Sequence, residues 1–203
     1  RPLPEHFLSY MLKVTWNTFF LAFLTTFFSL ALALPLAILI VKFKVKSASF
    51  WLALLTIPLI TPAFISSFSV IILLGRTGVL TKALKLLGIQ FPQIYGLLGL
   101  VITQTLHTIP YSLLVLIPSM YPHILLAGVM VFLTSIGDIG GPLIIGGNYK
   151  VISMEIYSNF VSYLGDERIP LLFSAWLILL SIILMIGVNK LMQRTNVKAK
   201  FRI

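Results

Sequence analysis

Long runs of apolar residues alternate with short basic segments along the chain. Residues 14–41 hold no charged side chain, and a helix of that length exceeds a hydrocarbon core of about 30 Å. Four further apolar runs follow, and Pro58 and Pro62 interrupt the first of them. These runs cover residues 50–74, 95–116, 123–136 and 170–188. The pattern predicts an all-α integral membrane protein with about five transmembrane helices.

Two shorter segments have a polar arc and an apolar arc at helical spacing. In residues 77–88 we expect Thr77 to be the N-cap and Gly88 the C′ residue of a helix with Lys82 on its polar arc. Helices of this kind lie in the plane of the membrane interface. We therefore predict two interfacial amphipathic helices. The second covers residues 151–163, with Glu155, Ser158, Asn159 and Ser162 on its polar arc.

Composition agrees with a membrane protein and adds an orientation. Of the 203 residues, 59% are hydrophobic and 10% charged, whereas soluble domains carry about 25% charged residues. The bases cluster at the ends of apolar runs, as topology signals do, and form no stripe typical of nucleic-acid binding. Basic residues in the 42–46 loop and in the C-terminal tail predict an external N-terminus and a cytoplasmic C-terminus. Cysteine is absent, which excludes disulfides and cysteine metal sites.

Polar residues inside the apolar runs are the candidate functional positions, because each must find a partner at membrane depth. Gln104, His107, Thr108 and Tyr111 share one helix face, which either a protein interface or a water-filled path would satisfy. Asn17 either bonds a neighbouring helix or lines such a path. Because His107 has no second histidine or carboxylate at ligand spacing, we predict no metal site and no cofactor.

The segment "TSIGDIGGPLIIGGN" interrupts an apolar run with five glycines and a proline. Irregular backbone at membrane depth is tolerated only where protein covers it or where it lines a cavity. Asp138 either caps a short helix that begins near Ile139 or belongs to a gate in which glycines flex. The two alternatives are compatible. The gate residues are Gly137, Asp138, Gly140 and Gly141.

Several segments together resemble the permease subunit of binding-protein-dependent ABC importers, nearest the group that moves ferric iron and polyamines. They are "WNTFFLAFLTTFFSLALALPLAILI", "LGRTGVLTKALKLLG", "HTIPYSLLVL" and, most specifically, "LLAGVMVFLTSIGDIGGPLIIGGNYKVISMEIYSNF". The similarity runs over nearly the whole chain. We therefore expect one transmembrane permease domain over residues 1–203, as part of a longer polypeptide, in the cell membrane of a bacterium or archaeon.

The resemblance implies partners and a path. A second permease domain, two cytoplasmic ATPase subunits and an external solute-binding protein would assemble with the chain, and membrane lipids would surround it. The chain has no Gly-x-x-x-x-Gly-Lys-Ser/Thr phosphate loop, so it is expected to be a transporter subunit and not an enzyme. The resemblance places Asn17, Gln104, His107, Tyr111 and Asp138 near the solute path.

One departure from the family is large. The family's cytoplasmic loop before its fourth core helix carries a Glu-Ala-Ala segment that couples the permease to the ATPase, and this sequence lacks it. Ile117 and Pro118 resemble the end of that loop. We predict about 30 further residues, basic and helical by family resemblance, between residues 114 and 121, near 116–117. Such a gap would lengthen one step between α-carbons beyond about 3.8 Å.

Two other functions stay open at this point. A membrane enzyme acting on lipid phosphates would need paired acids or a basic phosphate clamp. Its candidate acids do not converge in a motif: Asp138, Glu155, Asp166 and Glu167. A passive channel or a structural membrane subunit needs neither feature.

Overall fold

The computed structural model describes residues 6–42, 48–90, 92–117, 120–162 and 168–194, and none of these is in a strand. The prediction of an all-α protein is confirmed. The helices are α1 (Phe7–Lys42), α2 (Ala48–Ile60), α3 (Ala63–Leu74), α4 (Val79–Leu86), α5 (Leu97–Leu116), α6 (Met120–Gly137), α7 (Gly140–Ile145), α8 (Ile152–Val161) and α9 (Arg168–Arg194).

Within the described residues, four segments are long and apolar enough to cross a membrane, and a fifth apolar helix, His123–Gly137, is shorter. The four are Phe7–Lys42, Ala63–Leu86, Leu97–Leu116 and Arg168–Val188. A turn at residues 75–78 divides the second of these into α3 and α4. Each of the five predicted apolar runs is helical, and the second run consists of α2 followed by α3.

The second apolar run breaks at one proline and not at two. We expected Pro58 to interrupt it, but α2 continues through Pro58 to Ile60 and the chain leaves the helix at Thr61 and Pro62. Pro62 has no N–H to donate to the carbonyl of Pro58 four residues earlier. The Thr61 hydroxyl donates to that carbonyl instead, at 3.1 Å, and α3 begins at Ala63.

Helices α1, α5 and α6 pack against one another and form the centre of the protein. Small side chains at every third or fourth position of α1 are buried there, and small residues let helices approach closely. The hydroxyls of Ser29 and Ser112 hydrogen-bond across the contact between α1 and α5 at 3.1 Å. The small buried residues of α1 are Thr18, Ala22, Thr25, Ser29, Ala33 and Ala37.

The first predicted amphipathic helix is α4. Its N-cap is Gly78 and not Thr77, because the N–H of Gly78 donates to the carbonyl of Gly75 and closes a turn that contains Thr77. Gly88, at the predicted C′ position, has a φ of +77°, a conformation that glycine adopts without strain. The helix exposes apolar and basic side chains together: Val79, Leu80, Lys82, Lys85 and Leu86.

The second predicted amphipathic helix is α8, and it packs against the rest of the protein instead of lying free in the membrane interface. Glu155, on its polar arc, is buried, whereas Phe160 on the opposite arc is 80% exposed. The Glu155 carboxylate lies 4.0 Å from the ammonium of Lys150 and accepts a hydrogen bond from the Asn159 amide at 3.3 Å. Buried charges need such partners. Ile152, on the opposite arc, is fully buried as well, so α8 contacts the protein with residues of both arcs.

Helix α9 leans on the N-terminal part of α1 and on α8. Phe173 is fully buried against Val14 and Ile152. The indole N–H of Trp176 donates to the hydroxyl of Thr15 at 3.0 Å. Most of residues 181–188 of α9 are exposed, as expected of a helix that faces lipid.

Candidate functional site

Gln104 is the centre of a polar cluster that joins three helices. It lies on α5 and is buried. Its amide oxygen accepts hydrogen bonds from the hydroxyls of Thr25 on α1, at 3.1 Å, and of Ser135 on α6, at 2.6 Å. Its amide nitrogen donates to the Asp138 carboxylate at 2.9 Å. One side chain therefore connects α1, α5, α6 and the break after α6.

Asp138 occupies the break between α6 and α7 and uses both carboxylate oxygens. One oxygen accepts from Gln104, and the other accepts from the backbone N–H of Gly140 at 2.9 Å. The N–H of Gly141 lies 3.3 Å from both oxygens. Asp138 thus caps the first turn of α7, as one of the two alternatives required. Its backbone carbonyl accepts a further bond from the Ser153 hydroxyl of α8 at 2.7 Å.

A polar cavity of about 190 Å³ lies beside this cluster, between α3, α5 and the end of α6. His107 borders it, and the Nδ1 atom of His107 is buried without a hydrogen-bond partner among the described residues. Unpaired buried polar atoms call for an explanation such as a bound water or solute. The lining residues are Ala63, Gln104, His107, Thr108, Thr134, Ser135, Gly137 and Asp138.

The glycines around Asp138 are needed for close approach. A β-carbon at Gly140 would lie 2.9 Å from the backbone nitrogen of Phe64 at the start of α3, and one at Gly141 would lie 2.6 Å from the Asp138 carboxylate. A β-carbon at Gly137 would meet nothing within 4 Å. Gly140 and Gly141 therefore let α7 pack tightly against its surroundings, while Gly137 borders the cavity.

Asn17 takes part in a second group of hydrogen bonds, between α1 and the start of α8, which does not border the cavity. The side-chain amide nitrogen of Asn17 donates to the backbone carbonyl of Lys150 at 3.0 Å, and the backbone carbonyl of Asn17 accepts from the Tyr149 hydroxyl at 3.0 Å. Burial raises the pKa of the Tyr149 phenol, which keeps this donor protonated. Next to Asn17, the Thr18 hydroxyl accepts from the N–H of Ile152 at 2.9 Å. These hydrogen bonds hold the start of α8 against α1.

The remaining predicted positions lie apart from the cavity lining. Tyr111 stands one turn beyond His107, and their rings are in edge contact with centroids 6.2 Å apart. Ile117 follows the end of α5. The Ile117 N–H donates to the carbonyl of Leu113 at 3.0 Å. Pro118 and residue 119 lie outside the described residues, and the long step between α-carbons in the interval 114–121 stays a prediction.

The sequence did not single out three residues that hydrogen-bond to Gln104 or Asp138: Thr25, Ser135 and Ser153. Hydroxyls are common in membrane helices, and most in this chain bond only to their own helix, as Thr26 and Thr134 do. Thr25 nevertheless lies in the row of small residues on α1 that faces α5, and that row was visible in the sequence. Among the described residues there is no group of three histidine, aspartate or glutamate side chains that could hold a metal ion.

Two proteins of known designation are similar to the chain, although no protein-family model matches it. The chain is 25% identical over 181 residues to the "Putative ferric transport system permease protein FbpB 1" of Haemophilus influenzae, with 73% of this chain and 29% of that protein covered. It is 24% identical over 180 residues to the "Ferric transport system permease protein FbpB" of Actinobacillus pleuropneumoniae, with 73% and 26% covered.

The match extends over less than a third of the length of either relative. It nevertheless confirms the resemblance to importer permeases near the ferric iron group. Together with the apolar helices it identifies a multi-pass membrane protein whose relatives are transport components.

Proposed function

We propose that the chain is the permease subunit of an ABC importer in the bacterial inner membrane, and that it translocates a small solute such as ferric iron or a polyamine. The polar cavity beside Gln104 and Asp138 carries this proposal, because polar residues enclosed by apolar helices mark solute pathways. The similarity to two ferric transport permeases supports it. An external binding protein delivers the solute, and separate ATPase subunits drive transport.

Gln104, His107, Gly137 and Asp138 line the solute path in this proposal, and α7 forms its gate. The cavity offers a carboxylate and the unpaired ring nitrogen of His107, which suit a cationic solute. Asp138 holds α7 to α5 through its bond to Gln104. Opening the gate then means breaking this bond and moving α7 away from α3, which it touches through Gly140.

The coupling loop belongs between α5 and α6, where only residues 117–119 connect the two helices. The lengths of the similarity support an insertion in the relatives. About 148 residues of this chain (73% of 203) match over a span of 181, so the relatives hold about 33 positions without a counterpart here. This number agrees with the roughly 30 residues predicted from the missing Glu-Ala-Ala segment.

The topology follows from the basic loop after α1. With residues 42–46 in the cytoplasm, the start of α1, the α4 segment and α8 lie outside, and the C-terminal tail lies inside. The binding protein would dock on the side of α4 and α8, and the ATPases on the side of the α5–α6 connection. A second permease domain, identical or related, would complete the path.

Uptake of radioactive iron or polyamine by cells that produce the full polypeptide with its cognate partners tests the proposal. We expect ATP-dependent uptake, co-purification of an ATPase subunit and a binding protein, and reduced uptake in Asp138→Ala at unchanged membrane insertion. Uptake that persists without ATP would instead indicate a channel. Failure to recover any ATPase with the full polypeptide would refute the importer assignment.

A further inference from the structure

A second polar pocket, of about 280 Å³, lies where the turn after α3 meets the segment before α5. Arg76, Thr81 and Gln93 supply its polar side chains. Thr81 turns its hydroxyl into the protein from α4, and this oxygen is buried without a hydrogen-bond partner among the described residues. The pocket is remote in sequence from the Gln104 cluster and has no part in the proposed path.

Arg76 is held in place but keeps donors free. With the Gln93 amide oriented so that its oxygen faces the guanidinium, this oxygen accepts from Nη2 and, at 3.0 Å, from Nε of Arg76. The guanidinium also stands over the ring of Tyr95, 5.9 Å from its centroid. A guanidinium has five N–H donors. Three of them therefore have no acceptor among the described residues and can bind an anion.

The segment that supplies the pocket residues carries only positive charges. Residues 74–96 include Arg76, Lys82 and Lys85 and no aspartate or glutamate. By the cytoplasmic bias of lysine and arginine, these bases are unexpected on the face opposite the 42–46 loop. A negatively charged ligand at this membrane surface accounts for them.

The surface of α4 shows which anion fits. On one flank the helix exposes Leu80 and Leu87, and on another Lys82 and Lys85. An amphipathic helix with this arrangement lies at the level of the lipid headgroups, with its apolar flank toward the acyl chains. A phospholipid beside it would place its phosphate at the height of Arg76 and its tails against the leucines.

We propose that Arg76, Thr81 and Gln93 form a binding site for the phosphate of an anionic phospholipid at the membrane surface where α4 lies. The phosphate accepts from the free guanidinium N–H groups and from the Thr81 hydroxyl, and Lys82 and Lys85 add attraction at longer range. The site does not depend on the transport function. It would anchor the turn between α3 and α4 to one class of lipid.

Native mass spectrometry of the purified full chain, with added phosphatidylglycerol or phosphatidylcholine, tests the site. We expect preferential retention of phosphatidylglycerol, and about tenfold weaker retention in Arg76→Gln, the loss expected for one charge-assisted hydrogen bond. Thr81→Val, which keeps the shape of the side chain, should weaken retention in the same direction. Lys13→Gln removes another exposed cation, on α1, and should change nothing.

Each other outcome overturns the proposal. Equal retention of both lipids by the unmodified chain, or unchanged selectivity in Arg76→Gln and Thr81→Val, removes the site. Displacement of the lipid by millimolar inorganic phosphate identifies a site for soluble phosphate. If no lipid is retained selectively but Arg76→Gln weakens capture of the external binding protein, the pocket is a protein interface. Circular dichroism of each variant confirms that it is folded.

Discussion

Replacing Gln104 by leucine is expected to destabilise the protein by about 2–4 kcal/mol. Leucine has a similar size and no hydrogen-bonding group, so the change removes the bonds to Thr25, Ser135 and Asp138. Bonds between membrane helices contribute about 0.6 kcal/mol each on average, which gives a lower figure of about 2 kcal/mol. Hydrogen bonds to charged groups contribute about 1.5–3 kcal/mol, so the bond to the Asp138 carboxylate raises the total.

Reversible unfolding of the purified chain in mixed micelles, titrated with a denaturing detergent and followed by circular dichroism, measures this change. Thr103→Val is the matched control. Thr103 is also buried on α5, but its hydroxyl bonds only to the Gly99 carbonyl of its own helix, at 2.7 Å. Such a bond contributes little to helix stability, so the control should lose at most about 1 kcal/mol, the net contribution of one ordinary hydrogen bond.

The double variant of Gln104→Leu with Asp138→Ala sharpens the test. If the two side chains interact as their 2.9 Å contact indicates, the sum of the two single-variant effects will exceed the effect of the double variant by about 1 kcal/mol. A Gln104→Leu protein as stable as the control, or strictly additive effects of the two substitutions, would refute the view that Gln104 joins α1, α5, α6 and the break before α7.

Three further predictions concern the gate and the topology. Gly140→Ala should lower the free energy of unfolding by about 1–3 kcal/mol, because the new β-carbon would meet the Phe64 backbone at 2.9 Å. Gly137→Ala places its β-carbon in open space and should leave the stability unchanged. Equal effects in unfolding titrations would exclude tight packing of α7. Asp138→Ala should lower solute uptake at normal expression, and unchanged uptake would reduce Asp138 to a dispensable cap. Single cysteines at positions 44 and 82 should label from opposite sides of the membrane, and labelling from one side would disprove the topology.

The hydrophobic pattern was sufficient to predict the helices, because membrane helices must bury all backbone polar groups internally and so produce long apolar runs. It could not predict where the second run breaks. Pro58 and Pro62 look alike in the sequence, yet α2 continues through Pro58 and ends before Pro62, where the Thr61 hydroxyl satisfies the Pro58 carbonyl. Local capping chemistry decides such boundaries, and it depends on geometry that periodicity does not contain.

The sequence indicated which polar residues belong to the candidate site, but not which of them hydrogen-bond to one another. The polar face of α5 and the break at Asp138 were visible because polar groups are rare at membrane depth. That Gln104 bonds directly to Asp138, 34 positions later, follows only from the packing of α5 against α6. Asn17 had the same polar signature, yet it bonds the Tyr149–Lys150 loop, because its height on α1 places it beside the start of α8.

The double use of the Asp138 carboxylate bears on ion leakage. A membrane pore that opened at random would let protons and sodium ions run down their gradients. If α7 is the gate, a carboxylate that turns away from its present partners leaves the N-terminus of α7 without its cap and the Gln104 nitrogen with only a long bond, of 3.5 Å, to the Ser135 carbonyl. A cap worth about 1 kcal/mol and a charged hydrogen bond worth about 2 kcal/mol would hold spontaneous opening below about one molecule in a hundred. The same few hydrogen bonds would then determine both how tightly the resting gate stays closed and how readily a docking partner opens it.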